Sequence, residues 1–403
     1  MHRIPLEEIK KARERITPYT RITPCLPVEA INKLTGREVW LKCESLQKTG
    51  SFKIRGAANF ILENSVEAKR HGVVAASAGN HAQGVAAIAK ALNIPATIVM
   101  PVSTPAIKIQ NTANYGAEVK LVGNVYDESF DHAKKISQER GAVLVHPFHD
   151  PVVMAGQGTV GLEIAECPFF KDIEAAVISI GGGGLISGIA SALKTLNPRI
   201  KIYGVTAQNA PATYQTFKNN RPAEVEVKFT LAEGVAPKKS DQYMLDYLKD
   251  NVDDVFSLSE ESIAHAITLL AEHGKLVAEG AGALPVAALL EGKIPEKKVV
   301  AVISGGNLDL FALSAVVQRG LVEQGRLARL LITISDRPGS LANITQILAE
   351  KRVNIHNVFH QRATLLAGVG ETQIEVDIET RGKEHTEEVL STLIERGFRV
   401  QRL

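Results

Sequence analysis

From about residue 36 to about residue 320 the chain repeats one pattern: a short β-branched or apolar run, a turn of small residues, then a longer segment with apolar positions at helical spacing. Four such runs are 73–76 before Ser77-Ala78-Gly79-Asn80, 96–100 before Pro101, 176–180 before four glycines, and 299–303 before Ser304-Gly305-Gly306-Asn307. The runs carry few charges, as strands do when helices cover both faces of a parallel sheet. The pattern predicts an α/β region of open twisted sheets. Ligands in such sheets lie beyond the carboxyl ends of the strands, where these turns fall.

Near residue 321 the texture changes. Residues 321–326 read as a polar connection, and 327–335 as a strand ending in the turn Asp336-Arg337-Pro338-Gly339. A helix over about 340–351, strands over about 353–363 and 369–379, a helix over about 384–397 and a last strand ending at Leu403 complete a βαββαβ order, which is ferredoxin-like. The boundary is placed near 326, giving a region 1–325 and a domain 326–403. Within the first, the expected division is a large domain of about 1–45 and 150–325 with a small domain of about 46–149 inserted.

Composition narrows the classes of function. With 403 residues, 45% of them hydrophobic and 22% charged, the chain can fill two or three cores. Its 46 basic and 44 acidic side chains are mixed along the length, so no electrostatic footprint for nucleic acid or an anionic membrane is present and small-molecule partners are expected. No apolar run approaches the roughly 20 residues of a membrane span, and the first residues lack the apolar core of a signal peptide, so the expected location is the cytoplasm. Cys25, Cys43 and Cys167 are odd in number and form no Cys-x-x-Cys, which argues against a disulfide framework or a zinc site. No internal repeat or low-complexity segment is visible.

Gly181-Gly182-Gly183-Gly184-Leu185 falls between a strand and a helix expected to start near Ile186, where unpaired N–H groups and the helix dipole suit a phosphate. A glycine-rich turn that binds nothing is the bland alternative. No Gly-x-Gly-x-x-Gly register fits, and the next strand ends at Thr206 instead of an acidic ribose ligand; no P-loop is present either. Lys53, in Gly50-Ser51-Phe52-Lys53-Ile54-Arg55-Gly56, is by itself an ordinary lysine, most of which are solvated. Its company gives it meaning: a second strand-to-helix turn, Ser77 to His81, suits a carboxylate and a ring oxygen, and Ser304-Gly305-Gly306-Asn307 makes a third. A lysine, a neutral phosphate cradle, an Asn-bearing turn and a Ser-Gly-Gly turn are the parts a pyridoxal phosphate site requires.

Taken in this order with Thr17-Pro18, Thr23-Pro24 and Leu41-Lys42-Cys43-Glu44, these motifs resemble the fold-type II pyridoxal-phosphate enzymes, specifically the threonine (serine) dehydratase family in its form with one C-terminal ACT domain. The resemblance spans essentially the whole chain. It implies an α/β catalytic region of two open twisted sheet domains and a ferredoxin-like ACT domain. It further implies that Lys53 forms the Schiff base with the cofactor and takes the substrate α-proton, that Phe52 packs by the ring, and that Asn80 meets the ring 3-oxygen. Gly181, Gly182, Gly183, Gly184 and Leu185 would hold the phosphate and Ser304 the pyridine nitrogen. Ser77, Ala78, Gly79, Asn80 and His81 would receive the substrate carboxylate. The implied reaction is β-elimination from L-threonine to 2-oxobutanoate and ammonia, and from L-serine to pyruvate. The ACT domain would bind isoleucine or a related amino acid at Asp336, Gly339 and Asn354, and a homotetramer, a dimer of dimers, is expected.

Two departures stand out. Thr206-Ala207-Gln208 replaces an acidic residue common in relatives, and Ala232-Glu233-Gly234 replaces Ala-Asp-Gly. Neither is expected to touch the cofactor motifs. His146/His149 and His356/His360 lack acidic or thiol neighbours and are read as structural or surface residues, so no metal is expected. The rival readings are another type II activity, such as serine racemase or a sulfide-using synthase, and a non-catalytic amino-acid sensor.

Overall fold

The computed structural model describes residues 3–361 and 368–403. It divides into two compact units, Met1–Asp309 and Leu310–Leu403.

Besides a short two-stranded pairing of Ala223–Glu224 with Lys239–Ser240, the described residues of the first unit form two larger sheets. One is fully parallel, in the order Glu118–Leu121, Ala96–Met100, Val73–Ala76, Val143–Leu144. The other has six strands in the order Cys25–Pro27, Glu38–Cys43, Lys298–Ile303, Ala175–Ser179, Lys201–Ala207, Asp254–Leu258, and is parallel except for the Cys25–Pro27 edge. The apolar runs of the sequence are these strands, displaced by at most a residue. Ile178, Val300 and Val302 lie in one buried cluster and Ile54, Ala75 and Ile98 in another. Burying each valine or isoleucine side chain contributes about 1.5–3 kcal/mol.

Helix Pro151–Ala165 joins the parts that matter for function. Asp150 caps it by accepting from the backbone N–H groups of Val152 at 2.7 Å and Val153 at 3.1 Å, and proline at its first position has no N–H to leave unpaired. It is buried along almost its whole length and packs against both helix Lys53–Glu63 and helix Gly184–Leu196. Glycines bring these backbones together. A Cβ at Gly156 would lie 2.6 Å from the Arg55 carbonyl oxygen, and one at Gly188 would lie 2.4 Å from the Gly158 nitrogen.

The second unit has the βαββαβ order expected. Its antiparallel sheet runs Asn354–Gln361, Glu371–Glu379, Leu327–Ser335, Arg399–Arg402, with helices Ser340–Glu350 and Lys383–Glu395 closing one apolar core over Leu330, Ile332, Val376 and Ile378. Residues 362 and 363, expected as the end of a strand, lie outside the described residues. The unit begins earlier than the boundary near 326. Helix Leu310–Glu323 packs on strand Leu327–Ser335, and the polar run after it is a helix end: Gly325 takes φ +68°, while Arg326 N–H bonds the Leu321 carbonyl at 2.8 Å and Gly325 N–H the Val322 carbonyl at 3.0 Å. That closure satisfies the last carbonyls of the helix and looks, in sequence, like a linker.

Candidate active site

Lys53 is the first residue of helix Lys53–Glu63. The loop before it is laced to the Ser304 turn by backbone groups. Phe52 N–H donates to the Ser304 carbonyl at 3.0 Å, Gly306 N–H donates to the Gly50 carbonyl at 2.8 Å, and Ser51 bridges Gly305. Two motifs about 250 residues apart in sequence thus form one edge of the site. The Lys53 ammonium donates to the Pro147 carbonyl at 3.0 Å and lies 5.3 Å from the Phe52 ring centroid and 6.0 Å from that of Phe148. Burial lowers its pKa to about 8, against the opposing pull of the Glu279 carboxylate.

The neighbouring histidines add no charge. Burial takes the His81 pKa down to about 3 and the His146 pKa down to about 4, with Lys53 adding to both shifts. His81 Nε2 bonds the Val145 carbonyl at 2.9 Å, which places its proton on that nitrogen and leaves Nδ1 a buried acceptor without a partner. His146 Nδ1 accepts from His149 N–H at 2.8 Å.

The glycine turn is shorter than expected. Helix Gly184–Leu196 starts two residues before Ile186, so Gly184 and Leu185 supply its first unpaired N–H groups, and Gly183 precedes them at φ +83°. The turn is enclosed by side chains: a Cβ at Gly182 would lie 2.4 Å from the Phe148 ring, and one at Gly183 would lie 2.1 Å from Met244 Sδ. Phe148 therefore spans from the lysine to this turn. The Ala232-Glu233-Gly234 segment corrects the sequence reading, because it does touch a cofactor motif. A Cβ at Gly181 would lie 2.9 Å from Val235 Cα and 3.2 Å from the Gly234 carbonyl oxygen. Thr206 is buried and donates to the Phe256 carbonyl at 3.3 Å.

At the other turn, Ser77 Oγ accepts from Gly79 N–H at 3.2 Å and Asn80 opens helix Asn80–Ala91. Asn80 Nδ2 donates to Glu279 Oε1 at 2.7 Å, and Asn307 Nδ2 donates to Asn80 Oδ1 at 2.7 Å. Burial pushes the Glu279 carboxyl up to about 7. Ser304 is buried, with the Ser179 hydroxyl 3.4 Å from its own. Glu279, Asn307, Phe148 and the Pro147 carbonyl were not singled out from the sequence. An acidic residue directly before the small-residue helix start Gly280-Ala281-Gly282 was the available signal for Glu279.

Beneath the lysine helix lies a buried charge cluster. Arg55 donates to Glu44 through Nε and Nη2 at 2.8 Å each, and to Glu163 through Nη1 at 2.6 Å and Nη2 at 2.9 Å; Lys42 pairs with Glu163 and donates to the Thr23 carbonyl at 2.6 Å. Two cations face two anions, and the Arg55 guanidinium beside Glu44 outweighs burial and holds that carboxyl below its ordinary range. The cluster ties the lysine helix to strand Glu38–Cys43 and to helix Pro151–Ala165.

These residues fit pyridoxal phosphate. A helix N-terminus behind glycines suits the phosphate dianion, a half-buried lysine with a lowered pKa suits the aldehyde, and the buried Ser51 hydroxyl and His81 Nδ1 are without partners next to it in sequence and space.

The residues expected to bind an effector do not all come together within the chain. Asp336 N–H bonds the Gly370 carbonyl at 2.9 Å and Gly339 precedes helix Ser340–Glu350 at φ +92°, both at one end of the sheet. Asn354 pairs with Glu379, which is opposite Leu327, at the other end of a nine-residue strand. At about 3.3 Å per residue that separation is roughly 25 Å. Among the described residues no group of three or more His, Cys, Asp and Glu is arranged to hold a metal ion, and no helix is long and apolar enough to cross a membrane.

A family model of pyridoxal-phosphate dependent enzymes matches residues 16–305. The L-threonine ammonia-lyase of Thermotoga maritima is 46% identical over 399 residues, covering 99% of each chain. Among solved structures, maize serine racemase superposes with a TM-score of 0.74 at 34% identity, covering 80% of this chain and 100% of its own. The processed form of threonine deaminase isoform 2 from Solanum lycopersicum gives 0.71 at 34% identity, covering 77% of this chain and 88% of its own.

Proposed function

The chain belongs to the pyridoxal-phosphate dependent enzymes, and on that premise we propose that it is an L-threonine ammonia-lyase, converting L-threonine to 2-oxobutanoate and ammonia and L-serine to pyruvate and ammonia. The observation that carries this reading is Lys53: a lysine whose pKa is lowered to about 8, held by the Pro147 carbonyl between two aromatic rings. The near-full-length likeness to an L-threonine ammonia-lyase supports the choice of substrate.

When bound, pyridoxal phosphate supplies the electron sink that makes the α-proton of an amino acid removable. The chain supplies the rest. Lys53 holds the cofactor aldehyde and, near neutral pH, has enough free base to take the α-proton. The N–H groups of Gly181 to Leu185 hold the phosphate, and Asn80 holds the ring 3-oxygen. The Ser77 to His81 turn receives the substrate carboxylate at the start of helix Asn80–Ala91. Phe52 and Phe148 keep water from the lysine. Ser304 offers the ring nitrogen a neutral hydroxyl, which favours elimination over amino transfer; Ser304→Asp should raise side reactions, and unchanged partitioning of products counts against that role.

In solution the protein should show a visible cofactor band that borohydride bleaches with mass added at the Lys53 peptide, and it should release 2-oxo acid from L-threonine. A band without 2-oxo acid, accompanied by D-serine from L-serine, would point to racemisation instead. For the second unit we propose an ACT-type regulatory role, with isoleucine or a related amino acid at the Asp336 to Gly339 turn completed by Asn354 of another copy in a tetramer. Activity and substrate cooperativity that stay unchanged across a panel of amino acids would sink it.

A further inference from the structure

Asn80, the residue read as the partner of the ring oxygen, carries a side-chain amide whose two ends are nearly the same shape and opposite in chemistry. Turned one way it offers the ring oxygen an N–H; turned the other way it offers a lone pair. We infer that Glu279 and Asn307 are positioning residues that fix this amide with its nitrogen toward the cofactor, and that the Thr49 carbonyl sets the direction of the whole relay. The inference rests on the reading of Asn80 given above.

The relay starts at a group that can only accept. Asn307 Nδ2 lies 2.8 Å from the Thr49 carbonyl oxygen, so the nitrogen of that amide must be on this side. Its second hydrogen goes to Asn80 Oδ1 at 2.7 Å, which fixes the Asn80 oxygen there. Asn80 Nδ2 then faces Glu279 Oε1 at 2.7 Å and gives it one hydrogen. One hydrogen of Asn80 is left, for the ring oxygen. Flipping the amide would set nitrogen against nitrogen at Asn307 and oxygen against oxygen at Glu279. Two hydrogen bonds would give way to two repulsive pairs.

The surrounding motifs are shaped to admit this relay. Gly305 has no side chain where a Cβ would lie 2.4 Å from Glu279 Oε1. Gly50, at φ +72°, has none where a Cβ would lie 2.4 Å from Asn307 Oδ1. Glu279 is held in place from behind, because its N–H donates to the Gly305 carbonyl at 3.1 Å while its own carbonyl accepts from Ala283 N–H at 2.9 Å. Asn307 is exposed, so its orientation comes from the Thr49 carbonyl and not from burial. The Lys53 loop, the Asn80 turn and the Ser304 turn meet in this one chain of donors and acceptors.

The test reverses the relay. Glu279→Gln alone can still turn its oxygen to Asn80, so cofactor affinity should stay within about threefold and the visible band should keep its position. Glu279→Gln combined with Asn307→Asp exchanges donor and acceptor at both ends and inverts Asn80. The double variant should bind pyridoxal phosphate roughly 10- to 100-fold more weakly, and its visible band should shift with a raised apparent pKa of the bound cofactor. A role confined to folding would lower thermal stability without moving the band. A double variant with the band position and affinity of Glu279→Gln overturns the proposal. If the double variant does not fold, Glu279→Ala combined with Asn307→Ala, which removes both contacts that fix the amide, decides: a shifted band supports the relay and an unshifted one rejects it. Borohydride labelling away from Lys53 in the unmodified protein overturns the underlying reading and the relay with it, whereas labelling at Lys53 with unshifted variants rejects the relay alone.

Discussion

Helix Gly184–Leu196 and helix Ser340–Glu350 both begin after a glycine in the left-handed region, Gly183 at φ +83° and Gly339 at φ +92°. Around Gly183 and its neighbour, Met244 and Phe148 fill the space a side chain would need; around Gly339 nothing lies within 4 Å. The same backbone device serves two purposes. The first turn is enclosed by the chain's own side chains, and it is the one proposed above to hold the phosphate. The second is open.

The foundations differ as well. Close to the first turn, helix Pro151–Ala165 carries Glu163 into the buried cluster with Arg55, Glu44 and Lys42. The second turn has an exposed hydroxyl pair, Ser335 and Ser340, at 3.0 Å.

Substitutions can break this contrast. Arg55→Ala, which leaves Glu44 buried without its paired cation and Glu163 with Lys42 alone, should cost about 3–5 kcal/mol in chemical denaturation. A loss below about 1 kcal/mol, as for an exposed pair, would erase the difference in foundation. Gly182→Ala should come next, displacing the Phe148 ring at a cost of about 1–3 kcal/mol and weakening cofactor binding, with partial recovery when Phe148 is also made smaller. Gly339→Ala should cost only the backbone term, about 1–2 kcal/mol, with no benefit from shrinking any neighbour. Ser340→Ala should fall within about 0.5 kcal/mol.

Acidity gives one more handle. Lys53 has a native pKa of about 8 against an ordinary 10.5. Between those values the native protein binds fewer protons than the unfolded chain, so apo-protein stability should rise with pH across that window. Lys53→Met should lack that rise when both proteins are unfolded at pH 8 and pH 10. The rate at which apo-protein captures pyridoxal phosphate should likewise climb toward pH 8 and level off above it.

What could be read from the sequence was what neighbouring residues decide among themselves. The strands ending at Ala76, Ser179 and Ile303, their small-residue turns and Lys53 behind Phe52 are all local, and so is the βαββαβ order from Leu327 on. Glu279 and Asn307 were harder, since their meaning lies in partners 199 and 227 positions away. Local rules also misplaced two ends. Gly184 reads as turn but is the first residue of a helix, a position where glycine's interior penalty does not apply in full, and 321–326 reads as linker because a helix end closed by glycine is polar. The contact between Val235 and Gly181 had no local signal at all.

Helix Pro151–Ala165 works as a spacer of fixed gauge. Its glycines let helix Lys53–Glu63 and helix Gly184–Leu196 approach it at backbone distance, so the span between Lys53 and the glycine turn, the two anchors proposed for the cofactor, is set by missing side chains well outside the site. For an engineer, the size of cofactor this scaffold accepts is therefore adjustable from remote positions. A library of small residues at 156, 158 and 188, screened for retention of a cofactor analogue with a lengthened phosphate arm, would enlarge the site without changing any residue that touches the ligand.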